Sequence, residues 1–332
     1  MSYRYQIVTV FGGSGFIGRH LIRRLAKSGA IVRVVTRHPN QANFLKTAGS
    51  VGQIVPMAAD VTKDESVARA IQGSDTVINL IGALYETGPW SFQTVHVDAP
   101  ARIARIAKAN GVRKLVHVSA LGADSASASA YARSKAAGEQ AVLKEFPDAT
   151  ILRPSIVFGP EDRFFNKFAS MAQISPVLPL IGGGKTKFQP VYVGDLADAI
   201  GAAVYLDETK GKTYELGGPR TYSFRELMEL MLGEIHRKRL LAPVPWGVSE
   251  KLGAFFEKIP FFAPLLTRDQ VELLKKDNVV APGKPGFKEL GINELAACEV
   301  MLETYLARFI VGGRTSTLTR DVGKFHKYPS AH

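Results

Sequence analysis

The sequence predicts an α/β fold, a doubly wound parallel sheet over the first half of the chain followed by a smaller α+β part. Three observations predict it. Apolar β-branched runs alternate with segments of helical spacing from Tyr5 to Pro154, a glycine cluster separates the first run from the first helix, and prolines break the pattern after Pro154. Regular strand–helix alternation calls for crossover connections, which set parallel strands in one sheet and helices on both of its faces.

In chain order, YQIVTVF (Tyr5–Phe11) reads as the first strand, and Phe16 to Lys27 as a helix with Ile17, Leu21 and Leu25 on one face. IVRVVT (Ile31–Thr36) and IVPMAA (Ile54–Ala59) are the second and third strands. A helix over Asp64–Ile71 leads into the fourth, TVINLIG (Thr76–Gly82). A long helix is expected near Gln93–Asn110, a fifth strand at Lys114–Ser119, a helix near Tyr131–Phe146 and a sixth strand at Ala149–Pro154. Pro160, Pro176, Pro179, Pro190 and Pro219 then punctuate short elements. The expected division is a Rossmann-type α/β domain over 1–155, its sheet completed by parts of 156–200, and a smaller C-terminal domain with a docking tail over 156–332.

The segment 240–267 stands apart. Val248, Leu252, Phe255, Phe256 and Ile259 share a helical face, and the apolar run Ile259–Leu266 follows. Such a helix packs on the small domain or anchors a partner protein or a membrane surface.

The 332 residues are 46% apolar and 22% charged, which excludes wholesale disorder, collagen and coiled coil. The single cysteine, Cys298, cannot form an internal disulfide and is expected to be a small buried hydrophobe. No transmembrane span is expected: the longest uncharged run, Phe168–Gly184, holds Pro176 and Pro179 and falls short of roughly 20 apolar residues. The opening residues carry neither a cleavable apolar core nor an Arg/Ser-rich presequence.

Lys and Arg number 42 against 30 Asp and Glu, a formal net charge of +12, and eight of the cations precede the first carboxylate, Asp60. Such a bias suits an anionic membrane surface, a phosphorylated ligand or a solubilising face. Nucleic acid is not expected, because no basic helix, zinc spacing or interleaved aromatics accompany the charge. No metal site is expected either, since the seven histidines show no ligand spacing with Cys298 or with a carboxylate cluster.

Gly12-Gly13-Ser14-Gly15-Phe16-Ile17-Gly18 lies between strand and helix and meets the G-x-G-x-x-G spacing. Glycines there permit the tight turn, the approach of backbone to pyrophosphate and close helix–strand packing. The helix N-terminus then offers free N–H groups to phosphate. Dinucleotides that lack a 2′-phosphate are usually held by an acid about 20 residues further on. The second strand instead ends Val35-Thr36-Arg37-His38, so Arg37 is assigned to a 2′-phosphate and NADP(H) is expected over NAD(H).

Tyr131 and Lys135 form a Y-x-x-x-K pair on one helical face. An ammonium beside a phenol is expected to lower the phenol pKa and fit it for proton transfer during hydride chemistry. Gly182-Gly183-Gly184-Lys185-Thr186 ends like a phosphate-binding P-loop, but Pro179 occupies the place of its first glycine, so no nucleotide is expected there.

GGSGFIG, AADV (Ala58–Val61), NLIGA (Asn79–Ala83), HVSALGA (His117–Ala123), YARSK, LRPSIVFGP (Leu152–Pro160) and PVYVGDLADAI (Pro190–Ile200) together resemble the extended or atypical short-chain dehydrogenase/reductase superfamily. Within it, VTRHP, the short loop before YARSK and LLTRDQVELLKKDNVV (Leu265–Val280) are most similar to the NAD(P)H-binding accessory subunits of respiratory complex I.

The resemblance implies cofactor contacts from Gly12, Ser14, Gly15, Phe16, Ile17 and Gly18, with Arg37 on the 2′-phosphate and Asp60 and Val61 at the adenine edge. It places Gly82, Ala83, Ser119 and Pro154 beside the cofactor and makes Tyr131 and Lys135, with Ser119, the catalytic positions. Two departures argue for binding without turnover: Ala120 competes with Ser119 for the substrate-holding position, and His96 stands where Asn is common. The implied function is an NADP(H)-binding accessory subunit whose partners are other complex I subunits near the quinone region, with peripheral contact to anionic lipid. Its implied place is the cytoplasmic side of a bacterial inner membrane, or the matrix side in mitochondria. The alternative is a freestanding NADP-dependent reductase, epimerase or dehydratase of a nucleotide sugar or small carbonyl compound.

Overall fold

The computed structural model describes residues 6–257 and 266–310. Its centre is a seven-stranded sheet. The first six strands are β1 (Ile7–Phe11), β2 (Ile31–Thr36), β3 (Ile54–Ala58), β4 (Thr76–Asn79), β5 (Lys114–Val118) and β6 (Thr150–Pro154). Between them run α1 (Phe16–Lys27), α2 (Asp64–Ile71), α3 (Ala99–Ala109) and α4 (Ala130–Glu145). The expected long helix at 93–110 begins as a π-helical turn over Gln93–Asp98 and only then becomes α3.

Beyond β6 come β7 (Val157–Phe158), α5 (Phe165–Ile174), β8 (Val177–Ile181), β9 (Lys187–Phe188), β10 (Val191–Tyr192) and α6 (Val193–Tyr205). Then follow β11 (Thr213–Leu216), β12 (Tyr222–Ser223), α7 (Phe224–Glu234), β13 (Leu240–Val244), α8 (Trp246–Phe256), α9 (Arg268–Leu274) and α10 (Cys298–Leu306).

The sheet order is β11-β6-β5-β4-β1-β2-β3, with every neighbouring pair parallel. One expectation is corrected here. The strand that completes the sheet is β11, paired with β6, and it lies outside residues 156–200. That stretch supplies α6 to the sheet's face, where Leu196, Ile200 and Val204 pack beside Leu21, Ile22 and Leu25 of α1.

β4 and β5 are buried throughout because helices cover both sheet faces. α1 and α6 pack over Val8, Val10, Val32 and Val34, while Val67, Ile71 and Ile103 of α2 and α3 pack over Phe11, Val35 and Val77. A second core joins Phe158, Phe165, Leu178, Phe224, Leu227, Met231 and Leu302 in the smaller C-terminal part. Cys298 is buried in it, as expected.

The segment from 240 also departs from a simple helix. Its first residues form β13, which pairs with β8, because the prolines at 243 and 245 oppose helix and Leu240–Val244 can register against Val177–Ile181. In α8 the buried positions are Ser249 and Gly253, where a side chain at 253 would sit 2.8 Å from the Arg268 backbone. Val248, Leu252 and Phe255 therefore point outward, with Phe255 62% exposed. Ile259 and most of the run to Leu266 lie outside the described residues. No helix among the described residues is long and apolar enough to cross a membrane.

Candidate dinucleotide site

The sheet order reverses between β1 and β4, the switch point beyond whose strand carboxyl ends folds of this kind bind their ligands. The local chain builds its floor. Gly12 turns at φ +75°, and a side chain on it would press on the Leu80 backbone at 3.2 Å. At Gly18 a side chain would lie 2.3 Å from the Gly13 carbonyl, so only glycine lets α1 start this close to β1. Gly15 caps α1 without a side-chain hydrogen bond, and no acid occupies the first turn. The N–H groups of Phe16 and Ile17 thus head a helix whose positive end is left for an anion. Ser14, half a turn earlier, is half-buried in the same turn.

The other expected residues stand at the carboxyl ends of their own parallel strands, along the same edge of the sheet as this turn. Arg37 follows β2, Asp60 and Val61 follow β3, and Gly82 and Ala83 follow β4. Ser119 follows β5 and Pro154 ends β6. The Asp60 carboxylate is engaged by the Thr62 N–H and hydroxyl at 2.9 and 2.7 Å, which hold its pKa below the ordinary range. Val61 accepts a hydrogen bond from Arg102 at its carbonyl, and Pro154 accepts one from the Leu121 N–H at 2.8 Å. Arg37 is exposed, with its guanidinium carbon 4.6 Å from the centre of the Trp90 ring.

His96 ties three elements together. Its Nε2 accepts the Ala83 N–H at 3.0 Å, so Nδ1 carries the proton and donates to Ser134 Oγ at 2.8 Å. Ser134 in turn donates to the Tyr131 carbonyl. Burial, with the Lys135 charge second, holds His96 at about 3, so it stays neutral. Phe92 stacks on its ring and Tyr131 meets it edge-on. Gly138 makes this possible, because a side chain there would strike the His96 carbonyl at 1.9 Å.

His117 is also neutral, held at about 3 first by burial and then by Lys135 and His96. Asn79 Nδ2 donates to its Nδ1 at 3.1 Å, leaving Nε2 protonated. That Nε2 and Ser119 Oγ are buried polar atoms without a hydrogen-bond partner in the protein. Lys135 Nζ lies 3.4 Å from where a side chain on Gly82 would begin, so Gly82 keeps the path beside the ammonium open. Burial brings Lys135 down to about 8, partly offset by Glu139.

The Tyr131–Lys135 expectation needs correction. The two side chains do share a helix face, but Nζ lies 6.0 Å from the ring centre, and the phenol pKa rises to about 12. Burial is the larger cause and the Asp269 carboxylate the second. Asp269 accepts from Ser129 Oγ and from the Ala130 and Tyr131 N–H groups, at 2.9, 2.6 and 3.1 Å. Spacing along α4 cannot reveal this, because the carboxylate arrives from α9. Trp90, Gly138 and His117 carry no signal of a site role in the spacing of the sequence; His117 opens the HVSALGA motif, which does not mark its part.

The Gly182–Gly184 turn packs under Trp246 and precedes β9, so it has no P-loop context. Among the described residues no group of acids, His and Cys could hold a metal ion.

The residues present fit a dinucleotide: a glycine cradle that a Cβ would fill, an uncapped helix start, and unpartnered buried polar atoms at the far end. Fold and site together define a nicotinamide-dinucleotide-binding protein of the Rossmann type. Residues 8–217 match the model of the NAD dependent epimerase/dehydratase family, and the chain belongs to that family. It is 39% identical over 296 residues to NADH dehydrogenase (ubiquinone) 1 alpha subcomplex subunit 9, mitochondrial, of Arabidopsis thaliana, covering 86% of this chain and 74% of that one. The Rattus norvegicus protein of the same name is 38% identical over 301 residues, covering 89% and 79%. Among solved structures, a nucleoside-diphosphate-sugar epimerase from Staphylococcus aureus superposes with a TM-score of 0.72 at 16% identity, covering 90% of this chain and 100% of that chain. That likeness is one of fold.

Proposed function

We propose that the protein is an accessory subunit of respiratory complex I, the NADH:ubiquinone oxidoreductase, that binds NADP(H) as a structural ligand. The observation that carries it is the 38–39% identity to complex I subunits over 86–89% of the chain. The site is consistent with binding without turnover. A phenol held near 12 stays protonated and is a weak proton donor at neutral pH, and His96 spends its second nitrogen on the Ala83 backbone.

In this reading the turn Gly12–Gly18 takes the pyrophosphate and Arg37 the 2′-phosphate. Asp60 and Val61 border the adenine, and Gly82, Ala83 and Pro154 line the nicotinamide side. Lys135 and Tyr131 hold the nicotinamide ribose, with Ser119 near the carboxamide. The cofactor itself would supply only hydride chemistry, and no step in this reading uses it. A ligand that binds only the folded state stabilises it, by about 2.7 kcal/mol at a hundredfold excess over Kd. Docking to partner subunits and to anionic lipid headgroups falls to the C-terminal part. There Val248, Leu252 and Phe255 are exposed, and basic residues 236–239 lead into an exposed Leu240. The place would be the peripheral face of the membrane that carries complex I, on its cytoplasmic or matrix side.

Gentle solubilisation of membranes followed by size separation tests this. The protein should migrate with NADH:quinone reductase activity, and recovery only as a free soluble species overturns it. The alternative, a freestanding NADP-dependent reductase, epimerase or dehydratase, rests on the Tyr131–Lys135 pair of α4 and on the unpartnered Ser119 hydroxyl at the end of β5. Tyr131→Phe separates the two: an accessory subunit keeps its cofactor and its place in the complex, whereas an enzyme loses turnover. Mass spectrometry of the ligand released on denaturation identifies the dinucleotide.

A further inference from the structure

Arg37, just beyond the end of β2, sets its guanidinium over the face of Trp90. Among the described residues no carboxylate lies within ion-pair distance of its guanidinium. The backbone that carries Trp90 is held on both sides. Thr87 and Trp90 close a tight turn by exchanging backbone hydrogen bonds at 3.2 and 3.0 Å, with Gly88 at φ +55° inside it. The Glu86 carboxylate accepts the Phe92 N–H at 2.7 Å, and Ser91 Oγ accepts the Thr94 N–H at 3.1 Å, so the residues on both sides of Trp90 are fixed to the next helix. The start of the same loop is fixed by Ala83 on His96.

We propose that Trp90 is a specificity-determining residue: by stacking on Arg37 it holds the guanidinium ready for a 2′-phosphate, and so selects the phosphorylated dinucleotide. This deepens the NADP(H) reading and rests on it. The physics is a division of labour within one side chain. A guanidinium stacks through its face and donates through its edge, so the indole leaves the in-plane N–H groups for a bidentate pair with phosphate oxygens. An exposed arginine otherwise surrenders its rotamer freedom on binding, and a partner that has already restricted it removes part of that loss. A dinucleotide without the 2′-phosphate gains nothing from the arrangement. Trp90 therefore acts on the ratio of affinities and not on binding in general.

The test uses the full chain, stripped of cofactor, in wild-type, Trp90→Leu, Trp90→Phe, Arg37→Ala and double Trp90→Leu/Arg37→Ala forms. NADPH and NADH are titrated against each, following reduced-nicotinamide fluorescence. Trp90→Leu should weaken NADPH about tenfold and leave NADH within about twofold, Trp90→Phe should recover most of the loss, and the double variant should be no worse than Arg37→Ala alone. Equal weakening of both dinucleotides by Trp90→Leu, or no weakening, while Arg37→Ala still selectively harms NADPH, overturns the role of Trp90 and leaves the NADP(H) reading standing. An unchanged NADPH/NADH ratio in Arg37→Ala removes that reading and the proposal with it.

Discussion

The Asp269 carboxylate accepts the backbone N–H of Tyr131 at 3.1 Å, although 138 residues separate them in the chain. The start of α9 is thereby bound to the start of α4, the helix that carries Tyr131 and Lys135. Nearby, Asn278 Oδ1 accepts from Ser155 Oγ and the Ile156 N–H, and its Nδ2 donates to the Leu121 carbonyl. The stretch 267–281 is a strap across the loops that follow β5 and β6.

Asp269→Ala removes a carboxylate cap that serves three donors. The expected loss is about 1–2 kcal/mol of stability, read by urea denaturation. In Asp269→Asn the Tyr131 pKa should fall from about 12, because the negative charge that opposes phenolate is gone. Ultraviolet titration of tyrosinate, with Tyr131→Phe as the blank, reads this shift. An unmoved phenol contradicts the role given to the carboxylate.

His96 and His117 make the protein acid-sensitive. Both are held at about 3, against 6.5 for an unperturbed imidazole. Below about pH 6.5 the unfolded chain takes up protons that the folded chain refuses, so stability falls as pH drops from 6.5 toward 3. Each histidine adds a slope of up to about 1.4 kcal/mol per pH unit. Denaturant midpoints between pH 7 and pH 4.5 should show that slope, and His117→Asn should reduce it.

Lys135 costs stability in the absence of ligand. Its pKa of about 8, below the ordinary 10.5, means that the buried ammonium destabilises the fold below pH 8. The penalty disappears as pH rises from about 8 to 10.5. Lys135→Met should therefore stabilise the cofactor-free protein at pH 7 by about 1–3 kcal/mol while weakening dinucleotide binding. Calorimetric melting with and without cofactor checks both halves, and a destabilised cofactor-free variant contradicts the assignment.

Gly138→Ala tests the contact between α4 and the π-helical turn. The new methyl would meet the His96 carbonyl at 1.9 Å, so α4 must move away. The overpacking should cost about 1–3 kcal/mol or more and loosen the hold of His96 on Ala83. A melting temperature within a degree of wild type would argue that the contact is readily relaxed.

Most of the central fold was legible in the chain. The period of β-branched runs located the six strands from Ile7 to Pro154, and the spacing of Leu21 and Leu25 located the buried face of α1. These signals are local: a strand between covering helices must be apolar on both faces, and a dinucleotide turn needs glycines at fixed offsets. β11 escaped notice as a member of the sheet because TYEL is short and is drawn in only by its register against β6. The outward face of α8 was hidden for a related reason. Helical spacing gives the stripe Val248–Leu252–Phe255 but not the side on which Arg268 closes against Gly253.

The sequence by itself determined the first six strands, the phosphate turn, and the lack of an acid at the end of β2, since each depends on residues within one turn or strand of one another. The tertiary structure alone decided the chemical state of the site. It made Tyr131 a weaker acid where an adjacent lysine had suggested a stronger one, it left His96 and His117 neutral, and it set Trp90 against Arg37. Protonation follows burial and the charges that distant segments bring near, and neither is written in the spacing of a motif.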